Sequence, residues 1–174
     1  MNYDSNEHAH RFAVWAASTA GRASIKCRFT VAQGKAMMES NGFTSSLQVP
    51  IQAEFDHWHR GQRQRFIGSG QIKNMTHGVA GKLINVYLKA RYLGSLKREE
   101  FSSDYFHPPL DDILIKGIKF GMKIGDLPRL ALPKNKAWST FSSEDYESWI
   151  KIVSKLVQVD QPLWMIESHW RGHQ

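Results

Sequence analysis

The chain has 174 residues, of which 41% are apolar and 11% aromatic, enough to bury a core without staples and too many to suit a disordered chain. A formal charge of +7 and a pI near 9.6 favour a polyanionic partner. No run of about 18 apolar residues occurs, so no membrane span is expected, and a single cysteine, Cys27, excludes an internal disulfide, a thiolate zinc site and a four-cysteine cluster.

Periodicity predicts an all-α chain of about seven helices in one domain covering residues 1–174, without repeats. The polar residues 1–8 lack the basic-then-apolar order of a signal peptide, and a reducing, cytoplasmic setting is expected. The first helix falls at 6–23, with Phe12, Val14, Trp15, Ala16 and Ala17 as apolar positions, Ser5 as its cap and Gly21 near its exit. A second, at 30–41, ends at Asn41-Gly42. A third, at 51–67, is rich in aromatics and arginine, and Gly68-Ser69-Gly70 breaks it.

The strongest periodic segment is 76–93, where Val79, Leu83, Val86, Tyr87, Ala90 and Leu93 recur at helical spacing. A polar loop is expected at 94–107. Pro108-Pro109 then opens a helix to about Phe120, since proline suits a first turn. After an irregular stretch at 125–136, a capped helix begins at Ser143 and runs to about Val159. Pro162 opens a last short helix that reaches Trp170.

Residues 78–88 carry the most chemical information. Gly78 and Gly81, read as lying ahead of a helix, would let the backbone turn tightly and bring its free N–H groups up to a phosphate. At about 100° per residue, Lys82, Asn85 and Lys89 share one stripe beside the apolar face, where they would track a DNA strand. In the next helix Asp111 lies beside the apolar positions Ile115 and Ile118, whereas Asp112 points towards Lys116 and Lys119. A carboxylate held at the core edge in a first turn suits general-base work or stabilisation of a cation. An N-terminal capping or dipole-matched aspartate and a merely solvated helix face are the bland alternatives.

Taken together, Gly78-Val79, Lys82, Asn85-Val86 and Leu88, followed by Pro108-Pro109-Leu110-Asp111, resemble the helix-hairpin-helix DNA glycosylases of the 8-oxoguanine and endonuclease III-like type. The resemblance spans about a fifth of the chain. Ala80 stands where the family has a second hairpin glycine, the iron–sulfur cysteines of some members are absent, and the spacing from Lys82 to Asp111 is closer to that of the archaeal 8-oxoguanine branch.

The resemblance implies a central helix-hairpin-helix element, with Gly78, Val79, Ala80 and Gly81 gripping the backbone of a double-stranded DNA that contains a modified base. It implies excision of a flipped base. Asp111 would stabilise the cationic sugar and orient water. Lys82, in bifunctional members, would attack the sugar and also nick the strand. It implies no cofactor.

Arg60, Arg63 and Arg65 are further phosphate contacts. Trp15, Trp58 and Trp138 are candidate walls for the base, with Trp164 and Trp170 also eligible. His57 and His59 would diverge on a helix, so no metal site is expected. A monomer is expected. The substrate implied is a bulky modified base such as glucosylated hydroxymethylcytosine in phage DNA, as in antiviral defence, with 8-oxoguanine repair as the alternative. A non-enzymatic helical DNA-binding protein, a ribonuclease using His57 or His107, and a protein-interaction module also remain open.

Overall fold

The computed structural model describes residues 3–22, 24, 26–93 and 103–172. Among them the regular structure is all helical, as the periodicity predicts. The helices are α1 (Ser5–Gly21), α2 (Val31–Ser40), α3 (Gln52–Gly68), α4 (His77–Leu88), α5 (Asp112–Ile124) and α6 (Ser143–Leu156). A π-helical turn, Lys89–Leu93, continues α4, and two 3₁₀ stretches lie at Trp138–Thr140 and Leu163–His169. The loop expected at 94–107 falls partly outside the described residues, at 94–102.

Local chemistry sets most helix starts. Asp4 accepts a hydrogen bond from the Glu7 backbone and caps α1, one residue before the expected cap. Thr30 and Gln33 form a reciprocal capping box on α2, and Ser142 and Asp145 form another on α6. Thr76 caps α4 through the Val79 N–H. Pro108 and Pro109 do not open α5. They lie in the buried extended segment before it, and Asp111 is the cap. Gly125 closes α5 in the left-handed region, at φ 90°.

α4 is the central element. Val79, Ala80, Leu83, Ile84, Tyr87 and Leu88 are wholly buried, and the helix packs against α1, α3, α6 and the 3₁₀ turn at Trp138–Thr140. Two glycines allow this closeness. A Cβ on Gly78 would lie 1.8 Å from the Trp138 carbonyl oxygen, and one on Gly81 would lie 2.4 Å from the Tyr146 ring. Each glycine costs about 1 kcal/mol of helix propensity relative to alanine, a cost offset by the packing that its missing side chain permits.

This corrects the expected hairpin. Gly78 and Gly81 lie inside α4, and the chain reverses earlier, at 69–76. There Gly70 (φ 64°) and Asn74 (φ 59°) take left-handed conformations. The polypeptide turns where positive φ is available, and the later glycines are spent on helix contact.

Candidate active site

Lys82 and Asp111 are 29 positions apart in sequence, and the fold brings them together. Lys82 projects from the second turn of α4, and its Nζ donates to Asp111 Oδ2 at 3.0 Å. Both side chains are almost fully enclosed, at 9% and 11% exposure. The ammonium also lies 4.7 Å from the centroid of the Trp138 ring, a cation–π distance.

Asp111 serves two structures at once. Its Oδ1 accepts the Leu114 N–H at 2.9 Å and caps α5, while Oδ2 accepts from Lys82 and from Trp170 Nε1, the latter at 3.3 Å. Asp111 thus accepts three hydrogen bonds at the N-terminus of α5.

The pair opens onto a cavity of about 330 Å³ whose walls include Ala20, Lys82, Val86, Pro109, Asp111, Glu167 and Trp170. That volume falls at the lower end of small-ligand sites, roughly 300–1,000 Å³. Lys89 stands on the rim at the start of the π-helical turn, and its amine donates to Glu167 Oε2. Burial raises the pKa of Glu167, against the opposing influence of Lys89 and with a further rise from the Asp111 charge. Two lysine–carboxylate pairs therefore face one cavity. A second cavity of about 390 Å³, lined by Leu93, Trp164, Met165 and Ser168, shares Lys89 and Glu167 with the first.

Behind α4 lies a buried polar network. Asn85 Oδ1 accepts a hydrogen bond from His59 Nε2 at 2.8 Å, and its amide nitrogen donates to the Pro108 carbonyl and the Tyr146 hydroxyl. His107 bridges Tyr146 and Asp56. Arg63 stacks 4.1 Å over the Tyr146 ring and donates to Glu147. Burial lowers the pKa of both His59 and His107.

Several expected contacts with DNA are therefore corrected. Gly78, Val79, Ala80 and Gly81 are buried in helix packing and present no hairpin to a phosphate. Asn85 and Arg63 are buried in the polar network and do not reach a surface. Arg60 is exposed but grips Glu147 through two hydrogen bonds. Arg65 and Lys89 are exposed. Of the expected base walls, Trp138 lies beneath Lys82, Trp58 packs on Phe55 and Phe43, and Trp15 lies on the outer face of α1, outside the cavity. His107, a candidate for ribonuclease chemistry, is buried with both ring nitrogens engaged.

Trp170, one of the indoles eligible as a base wall, lines the cavity, and Glu167 beside it is a wall residue that sequence reasoning did not single out. Three positions separate them at the end of the last 3₁₀ stretch, where such residues project to the same side. Their only sequence signal is a carboxylate and an indole at that spacing after the apolar run Leu163-Trp164-Met165-Ile166. No family model, no curated protein and no solved structure matches this chain.

Proposed function

We propose that the chain is a DNA N-glycosylase that excises a modified base, acting through Lys82 and Asp111. The observation that carries this reading is the 3.0 Å contact between the two side chains on the wall of an indole-lined cavity. A carboxylate beside the anomeric carbon offsets the positive charge that develops on the sugar as the glycosidic bond breaks. An amine at the same point can add to that carbon and form a Schiff base, which leads to strand cleavage. Trp170 supplies a ring for the extruded base to stack on.

The second cavity, which shares the Lys89 and Glu167 walls with the first, would give room for a bulky substituent. The base we favour is therefore a glucosylated hydroxymethylcytosine of the kind found in phage DNA, which would make the activity a defence against phage. DNA is held by the basic surface, including Lys89 and Arg65, because the glycines of α4 are enclosed.

The test is incubation with duplexes bearing glucosylated hydroxymethylcytosine, 8-oxoguanine, uracil or an alkylated base, followed by alkali to reveal abasic sites. Asp111→Asn should abolish release, and borohydride should trap wild type but not Lys82→Gln. No abasic site in any duplex would sink the reading. Release of 8-oxoguanine alone would replace defence with repair.

A further inference from the structure

We infer that the Lys89–Glu167 ion pair is a gate between the two cavities, opened by a base whose substituent brings hydroxyl groups; the inference rests on the glycosylase reading. The first cavity holds Lys82, Asp111 and Trp170, and the second is lined by Leu93, Trp164, Met165 and Ser168. Among the described residues two stand in both walls, Lys89 and Glu167, and they are bonded to each other. Their contact ties the start of the π-helical turn to the last 3₁₀ stretch. The direct way from one cavity to the other therefore passes this contact.

The partners differ in freedom. The Lys89 side chain is 48% exposed and that of Glu167 only 16%. Lysine has a flexible four-carbon stem, and Lys89 also borders a third cavity of about 610 Å³ beside Phe12, into which it can move. Glu167 is held in a turn that its carbonyl closes by accepting the Trp170 N–H at 2.8 Å. Lys89 is thus the moving part and Glu167 the fixed one. An enclosed carboxylate cannot lose its cation without another donor in its place. Glu167 Oε1 is shielded and has no hydrogen-bond partner among the described residues, so Oε2 carries the whole of that need. The hydroxyl groups of a hexose can donate to Oε2, and such bonds to a charged acceptor are strong. An apolar substituent of the same size leaves it bare. A site that must satisfy an enclosed polar group discriminates more sharply than room alone does.

The experiment measures single-turnover release, at saturating protein, from three duplexes that differ only at the target base. One carries hydroxymethylcytosine, the second its glucosylated form, and the third a cyclohexyl group in place of the glucose. Rates are compared as ratios within each protein, which cancels a general loss of DNA binding or stability. Lys89→Ala removes the moving partner and should raise release of the glucosylated base relative to hydroxymethylcytosine by roughly 5-fold or more. Glu167→Ala removes the acceptor and should bring release of the glucosyl and cyclohexyl forms close to equality, where wild type prefers glucosyl. An unchanged first ratio in Lys89→Ala would show that the pair closes nothing. An unchanged second ratio in Glu167→Ala would show that Glu167 does not receive the sugar, and either result overturns the gate. If wild type releases only unsubstituted bases, failure of Lys89→Ala to gain release of the glucosylated base overturns it too. No release from any duplex by wild type sinks the glycosylase reading itself, which is distinguishable because no ratio then exists to compare.

Discussion

Asp111 combines charge with a capping role, and substitutions can separate the two. Asparagine is as good an N-cap as aspartate, whereas alanine loses the cap at a cost of about 1 kcal/mol. Asp111→Asn should therefore keep α5 intact while removing the partner of Lys82, and base release should fall by about 100-fold or more. Asp111→Ala should lose release to the same degree and unfold at lower urea than Asp111→Asn. If Asp111→Asn released base at the wild-type rate, the carboxylate would be structural only. Both variants leave Lys82 nearly enclosed without its anion, so each should also be less stable than wild type.

At the scale of elements, the glycines of α4 and α3 make opposite predictions from the same substitution. Alanine favours a helix interior by about 1 kcal/mol over glycine. A Cβ on Gly61 of α3 meets nothing within 4 Å, so Gly61→Ala should stabilise. A Cβ on Gly78 meets a backbone oxygen at 1.8 Å, which cannot rotate away. Gly78→Ala should therefore destabilise by roughly 1–3 kcal/mol or more. Equal stability of Gly78→Ala and wild type in urea unfolding would mean that α4 and the Trp138 turn do not pack as described.

The network joining α3, α4 and α6 adds a pH dependence. Burial lowers the folded pKa of His59 and His107 below the ordinary 6.5. The unfolded chain then binds more protons than the folded one, so stability rises with pH. It is lost as pH falls through 6.5, with a slope of up to about 1.4 kcal/mol per pH unit for each histidine. Urea midpoints should drop between about pH 7 and pH 5, and the drop should be shallower in His59→Gln. A flat profile across that window would contradict the burial of both rings.

For the whole molecule, the proposed function together with the charge of +7 predicts a DNA affinity that weakens with salt. Each phosphate neutralised contributes a slope of about −0.9 in log affinity against log salt. Arg65 is exposed and Arg63 is buried on Tyr146. Arg65→Gln should reduce the slope by about 1 without affecting stability. Arg63→Gln should leave the slope unchanged while lowering stability. The reverse pattern, measured by DNA titration at several salt concentrations, would place the DNA face near the buried network and refute the description of α3. Among the described residues no helix is long and apolar enough to cross a membrane.

The helical class, the order of the helices and most of their limits were legible in sequence, because apolar spacing and capping residues act within a few positions of where they stand; the start read from Pro108-Pro109 was not, since α5 begins at Asp112. Asp111 was legible only in part: the spacing puts it in a first helical turn beside the apolar stripe, and it stands one residue before α5 as the cap. The role of Gly78 and Gly81 was not. Glycine before a turn and glycine under a close helix contact look alike in a string, and only the Trp138 carbonyl and the Tyr146 ring reveal which is present. Arg63 and Asn85, too, look like surface groups until distant partners enclose them. The company of Lys82 and Asp111, namely Trp138 below, Trp170 beside and Glu167 across the cavity, comes from segments far apart along the chain. Short-range physics decides what each segment becomes. Which side chains share a cavity depends on how the helices pack, and that is a property of the tertiary structure alone.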